Sequence, residues 1–382
     1  MASPGVALVT RPVCRVTGAV TLLVPQNDES ATFSKHRWDW ARNVKSTFAG
    51  LDLGTGEFAG QLQQALQRVE DLLISELSSG DDILVEAATH LAKAGGKRFR
   101  PMFAILASHF GPNPASDEVI TSATVLEMTH LATLYHDDVM DDAPLRRGAL
   151  SANARWSNSI AILAGDFLFA RASHLVSTLG PEAVRIIADT FAELVTGQMR
   201  ETVGVTKGGD PIEHYLKVVW EKTGSLIATA GRFGAYTAGA DEQTVTTLAR
   251  LGDVVGTAFQ VSDDIIDIAS VTDDSGKTPG TDLREGVHTL PVLLALTGDG
   301  PDAARLRELL VDPETGTPRA LTDDAEVDEA LHLLVDSSGM KEAQARLEAM
   351  ADEARGLLAG LPAGPANDAF SALVRYTVDR VG

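Results

Sequence analysis

From about Gly56 onward, apolar residues recur at three- and four-residue steps with little interruption. The stretch FAGQLQQALQRVEDLLISELSS places Leu62, Leu66, Val69, Leu72, Leu73 and Leu77 on one stripe of a helix. DDILVEAATHLAKAG starts on acids and stops at Gly95, which are ordinary helix start and stop signals. SDEVITSATVLEMTHLATLYHDDVMDD reads as one long helix ending before Pro144. The same periodicity predicts helices over 159–179, 181–203, 211–238, 241–270, 289–296, 302–310, 325–338, 340–361 and 367–379. Strand-like alternation is confined to the first 25 residues. Gly, Pro and Asp mark loops at 206–211, 272–282 and 311–324. No internal repeat and no Pro-rich or Gly/Ser-rich linker interrupts 51–382. The pattern predicts one large all-α domain over 51–382, a single bundle of helices. An irregular or disordered extension is expected over 1–50.

Composition narrows the function. Acidic residues outnumber basic ones by 53 to 32, for a formal charge of -21. Such a surface repels nucleic acid and anionic lipid, so an anionic ligand would need local cations or metal ions. A single cysteine, Cys14, leaves no intrachain disulfide and no cysteine-built metal site, as expected in a reducing cytoplasm. Apolar runs such as AVTLLVP at 19–25 are too short to span a bilayer. They are also short for a signal peptide.

Two short motifs change the picture. LYHDDVMDD places Asp137, Asp138 and Asp141 as DDxxD, and FQVSDDIID repeats the arrangement with Asp263, Asp264 and Asp267. On a helix, residues i and i+4 share a face, so each motif aims two carboxylates the same way. Like charges at that spacing destabilise a helix unless a cation removes the repulsion. Oxygen ligands of this kind suit Mg²⁺, which is commonly held by a few carboxylates together with substrate phosphates. A solvated acidic face explains one such run poorly in the company of a second. Two of them, each near the end of a long apolar helix, point to several metal ions clamping a diphosphate. Basic residues stand near both: Lys97, Arg98 and Arg100 in GGKRFRP before a proline-started helix, Arg146 and Arg147 after the first acids, Lys222 in EKTGSL, and Lys277 past the second acids. Each alone reads as a surface charge. Each also lies near a helix terminus or a glycine, where phosphate binding is geometrically easy.

In that order, GGKRFRP, EMTHLATLYHDDVMDD, LRRG, GDFLFA, EKTGSL, FQVSDDIID and GKTPGTDLREGVHTLP resemble the trans-isoprenyl diphosphate synthases, or polyprenyl synthetases. The resemblance covers about residues 52–382, and its phrasing is similar to actinobacterial long-chain enzymes that make menaquinone side chains. It implies mostly antiparallel helices around a deep central cavity, a homodimer, and transfer of an allylic prenyl group to C4 of isopentenyl diphosphate. It implies Mg²⁺, three ions with bound diphosphate, on Asp137, Asp141 and Asp263, supported by Asp138, Asp264 and Asp267. Lys97, Arg100, His130 and Arg147 would hold isopentenyl diphosphate. Arg146, Lys222, Thr223, Gln260 and Lys277 would hold the allylic diphosphate, with Lys222 among the catalytic groups. On residues alone, His130 would be a core histidine; the resemblance makes it a substrate contact. One departure stands out: Val287, followed by His288, occupies a place where many members carry lysine.

The resemblance also addresses product length. Ala132, Thr133 and Thr129 lie one to two turns upstream of Asp137. Short-chain members tend to carry an aromatic at the place of Ala132, so a methyl there implies an open shaft and a product of about C35–C50, octaprenyl or nonaprenyl. The bland alternative is that Ala132 lets two helices pack closely. Other readings are a farnesyl or geranylgeranyl synthase, a class I terpene cyclase, a non-catalytic synthase subunit and an acidic Ca²⁺-binding scaffold. A cyclase would carry a different second metal motif and would have no use for GGKRFRP. A silent subunit would usually have lost one acid motif. A scaffold leaves the basic motifs unexplained. The expected location is cytoplasmic, loosely associated with the membrane that receives the product.

Overall fold

The computed structural model describes residues 47–48, 51–52, 56–269 and 279–380. The alternation expected in the first 25 residues, most of the 1–50 extension and Lys277 lie outside them. A two-residue hairpin, β1 (Thr47–Phe48) and β2 (Leu51–Asp52), precedes the helices. These are α1 (Glu57–Leu77), α2 (Asp82–Lys93), α3 (Phe99–Ser108) and α4 (Asp117–Met140). A second hairpin, β3 (Leu145–Arg146) paired with β4 (Ala149–Leu150), leads into α5 (Ala152–Arg155), α6 (Asn158–Ser177) and α7 (Pro181–Val203). Next come α8 (Pro211–Val219), a π-helical turn (Trp220–Gly224), α9 (Ser225–Thr237) and α10 (Glu242–Ala269). The C-terminal part holds α11 (Thr281–Glu285), α12 (Leu290–Leu296), α13 (Pro301–Leu310), α14 (Asp324–Val335), α15 (Ser338–Ala359) and α16 (Pro365–Asp379).

Most predicted helices are observed; the structure adds the β1–β2 hairpin and the short helices α5 and α11, and two further differences bear on the site. The β3–β4 hairpin appears where no strand was expected. The helix predicted over 211–238 is broken by the π turn.

Two helices organise the core. α4 is buried on nearly every side, from Val119 to Asp138, and sits against α1, α3, α6 and α9. Its sequence accordingly lacks the one-sided stripe of a surface helix. Ser116 caps its start by accepting from Val119 N, and acids at 117 and 118 suit the positive end of the helix dipole. α10 serves two hydrophobic clusters: Leu248 to Val255 join the main core, and Ala258 to Ile268 join a second core built with α12–α15. The acid motifs thus occupy the C-terminal ends of the two organising helices.

Among the described residues, one helix, α6, is long and apolar enough to cross a membrane. Its Ala161, Ala164, Gly165, Leu168 and Ala172 are buried against the bundle, the position of a core helix.

Candidate active site

Asp137 lies in the last turn of α4, and Asp141 is the first residue beyond it and exposed. Asp138 between them is fully buried, and its Oδ1 accepts from Arg146 Nε at 2.6 Å. The β3–β4 hairpin thereby folds Arg146 back onto the acids. Among the described residues, Asp138 Oδ2 is buried without a hydrogen-bond partner, which is costly unless something supplies one. Burial pushes the Asp137 carboxyl up to about 6; Lys222 opposes the shift, and Asp141 and Glu201 add to it.

Lys222 comes from the π turn, a feature that recurs at functional sites. Buried Glu221 anchors that turn by accepting from Arg200 Nε at 2.7 Å and Nη2 at 3.1 Å. Lys222 pairs with Glu201 on α7. Thr223 Oγ1 donates to Gln260 Oε1 at 3.4 Å, and Gln260 Nε2 donates to Asp264 Oδ1 at 3.0 Å. A continuous polar chain therefore joins the neighbour of the first acid cluster to the second. It needs the π turn close to α10: a Cβ on Gly256 would lie 2.9 Å from Gly224 Cα.

The second cluster does not present its acids as one pair. Asp263 Oδ1 meets Arg380 Nη1 at 2.7 Å. Arg380, one residue past α16, also donates to Ser262 Oγ and Phe259 O and stacks on the Phe259 ring. Asp264 is buried, accepts from the Tyr215 hydroxyl as well as from Gln260, and is pushed up to about 7 chiefly by burial, against those two bonds. Asp267 accepts from Thr281 N and Asp282 N at the start of α11. Asp263 and Asp267 both lie on α10, four residues apart, and each has its own partners.

The cations before α3 form a different surface. Lys97 is exposed. Arg100 carries a buried Nε with no partner among the described residues; burial pulls its guanidinium down to about 10, Glu127 opposes that, and Arg147 reinforces it. His130 is driven well below the usual imidazole range by burial, then by Arg100, Arg147, Arg98 and Arg146, so its ring is neutral at neutral pH. Arg147 Nη1 donates to Leu91 O at 3.2 Å and to Gly95 O. A Cβ on Gly96 would stand 2.8 Å from the same guanidinium, and the backbone there holds φ 146°, a conformation that favours glycine. Unpaired donors on buried cations are what a phosphate group satisfies.

Ala132 and Thr129 are fully buried, Ala132 within the main core, and Thr129 Oγ1 donates to Val125 O at 2.8 Å. Thr133 is half-buried and donates to His130 O at 2.9 Å. Val287 is 46% exposed, and His288 Nε2 meets Leu310 O at 3.0 Å.

Several participants escaped the sequence reading. Tyr215 and Arg380 carry no local signal. Arg98 had been grouped with the surface cations, yet it is buried and bonded to Glu70 and to Glu127. Glu127 could have been noticed as a lone acid in the apolar run VLEMTHL.

Among the described residues, no three His, Cys, Asp or Glu side chains converge into a ready-made metal site. The unpartnered Oδ2 of Asp138, with half-buried Asp137 and Asp263 and exposed Asp141, supplies hard oxygen donors. A divalent cation would complete its shell with phosphate oxygens and water, as Mg²⁺ commonly does. The residues fit a metal held jointly with substrate.

An all-helical bundle with two acid-bearing helix ends and a flanking cationic cradle defines a diphosphate-handling site. Residues 81–325 match the family model described as polyprenyl synthetase. The chain is 57% identical to nonaprenyl diphosphate synthase of Mycobacterium tuberculosis, over 89% of this chain and 100% of that one. It is 43% identical to dimethylallyltranstransferase of the same organism, over 86% and 98%. A crystal structure of geranylgeranyl pyrophosphate synthase from Corynebacterium glutamicum, complexed with calcium and isoprenyl diphosphate, superposes with a TM-score of 0.77 at 52% identity. That match covers 86% of this chain and 99% of the other. The chain belongs to the polyprenyl synthetase family, and it is a prenyltransferase.

Proposed function

We propose that the chain condenses isopentenyl diphosphate repeatedly with an allylic diphosphate and releases a long product, octaprenyl or nonaprenyl diphosphate. The observation that carries this reading is the polar chain Lys222–Thr223–Gln260–Asp264 between the acid clusters, with Arg100 and its unpaired Nε in a separate cradle. Two diphosphates need two such places.

The cradle residues Lys97, Arg100, His130 and Arg147 hold isopentenyl diphosphate. Arg146, Lys222, Thr223 and Gln260 orient the allylic diphosphate. When the allylic C–O bond breaks, its electron pair leaves with the diphosphate, and Lys222 and Arg146 stabilise that growing charge. C4 of isopentenyl diphosphate then bonds to the allylic carbon. The proton lost from C2 passes to the released diphosphate. Asp137, Asp141 and Asp263 would hold Mg²⁺, which when bound would neutralise charge on the leaving group.

The high identity to a nonaprenyl synthase and the methyl at Ala132 support the long product. The exposed apolar side chains Ile162 and Leu163 on α6 and Val195 and Met199 on α7 support a homodimer. We place the enzyme in the cytoplasm, with its product passed to the membrane for menaquinone side chains. The test is incubation with isopentenyl and farnesyl diphosphate and Mg²⁺, followed by chromatography of the prenyl product. Linear chains of about C40–C45 support the reading. Products ending at C20 overturn the length, cyclic hydrocarbons indicate a cyclase, and absence of turnover overturns the activity.

A further inference from the structure

We propose that Glu127 is a positioning residue: it clasps Arg98 and Arg147 together and so sets the cradle that receives isopentenyl diphosphate. The inference rests on the reading that Lys97, Arg100, His130 and Arg147 hold that substrate.

Glu127 is 1% exposed in the middle of α4, ten residues before Asp137. Its Oε1 meets Arg98 Nη1 at 2.8 Å and Arg147 Nη2 at 3.8 Å. Arg98 is fixed further by Glu70 of α1 and by Ala92 O at 2.9 Å and Gly95 O at 3.4 Å. Arg147 reaches the same Gly95 carbonyl from the other side. The two guanidiniums thus grip the loop between α2 and α3, and Lys97 and Arg100 emerge from that loop and the first turn of α3. Both gripping residues hold left-handed backbone, φ 45° at Arg98 and 54° at Arg147. A residue with a Cβ rests there only when its surroundings hold it. Without Glu127 the two cations face each other with less compensation, and each backbone loses a tether.

Two simpler roles predict different results. A plain buried ion pair stabilises the fold and leaves substrate affinity alone. A plain counter-charge weakens anion binding, so its removal would tighten the site. A positioning role predicts the opposite sign, weaker binding of one substrate only.

The experiment uses the full chain. Titration calorimetry gives the Kd of isopentenyl diphosphate, and steady-state kinetics gives KM for each substrate with the other saturating. Glu127→Gln is expected to raise both Kd and KM for isopentenyl diphosphate about tenfold, with KM for farnesyl diphosphate within about twofold of wild type. Glu127→Asp keeps the charge but shortens the arm, and about a threefold rise is expected there. Tighter binding of isopentenyl diphosphate, or equal rises for both substrates, overturns the proposal. If Glu127→Gln does not fold, Glu127→Asp decides, and unchanged constants in that variant overturn it. Absence of turnover in the wild type removes the synthase reading alone, because the calorimetric comparison still reads the cradle.

Discussion

Tyr215→Phe deletes a hydroxyl that donates to Asp264, a carboxylate only 4% exposed. Burial already pushes Asp264 up to about 7, and the bonds from Tyr215 and Gln260 hold it down. A hydrogen bond to a charged group contributes about 1.5–3 kcal/mol, and one pKa unit corresponds to about 1.4 kcal/mol. Losing the hydroxyl should therefore raise Asp264 by at least about one unit in the metal-free enzyme. Near pH 7 the ionised fraction then falls from about one half to about one tenth, roughly fivefold. The Asp264 charge stands beside Asp263 and favours a cation bound there, so the Mg²⁺ concentration for half-maximal turnover should rise by up to about that factor at pH 7. The sign is fixed by the direction of the shift: the charged form is present above the raised pKa and lost as pH falls through it. The defect should deepen toward pH 6 and vanish near pH 9. The assay is a Mg²⁺ titration of product formation at several pH values, with circular dichroism to confirm an intact fold. A titration curve that overlies wild type at pH 7, or a defect that persists undiminished at pH 9, refutes the reasoning.

Asp137→Ala and Asp263→Ala should each cut turnover by orders of magnitude while helix content stays near wild type, measured by product assay and circular dichroism; near-normal turnover in either sinks the two-cluster clamp. Ala132→Phe should leave the first condensation intact and stop the product near C15–C20. If Ala132 only serves helix packing, the variant should instead lose about 1–3 kcal/mol of stability with product length unchanged, which denaturant unfolding and chromatography together resolve. His130 is held neutral in the folded chain, whereas the unfolded chain takes up its proton near the ordinary imidazole pKa. Stability is therefore lost as pH falls through that value, and His130→Gln should flatten the fall between about pH 7 and pH 5 in thermal melts.

Periodicity carried the fold because most of these helices bury one stripe or more, and a stripe is visible in a linear pattern. The places where it failed share a cause. The π turn at Trp220–Gly224 lies inside an unbroken helical pattern, and its contacts are tertiary: buried Glu221 pairs with Arg200 of α7, and Gly224 packs against Gly256 of α10. The β3–β4 hairpin is four paired residues without alternation, held by Arg146 on Asp138 and Arg147 on Gly95. Both rest on tertiary contacts with residues elsewhere in the chain.

The acid motifs show the same limit in the site itself. Their spacing states that like charges crowd two helix ends and that something must offset them. It does not state what. Here the chain supplies its own neutralisation, one partner at a time: Arg146 at Asp138, Arg380 at Asp263, backbone N–H groups at Asp267, and a hydroxyl and an amide at Asp264. Asp137 and Asp141, two of the three carboxylates expected to bind metal, have no such hydrogen bond among the described residues, and Lys222 lies near enough to Asp137 to oppose its protonation. Cations therefore enter a site whose charge is already distributed. Arg380 already occupies Oδ1 of Asp263, whereas Asp137 has no ion pair of that kind among the described residues. The first cluster should fill before the second, an order set by partners that stand in α16 and the π turn and that the acid motifs themselves do not encode.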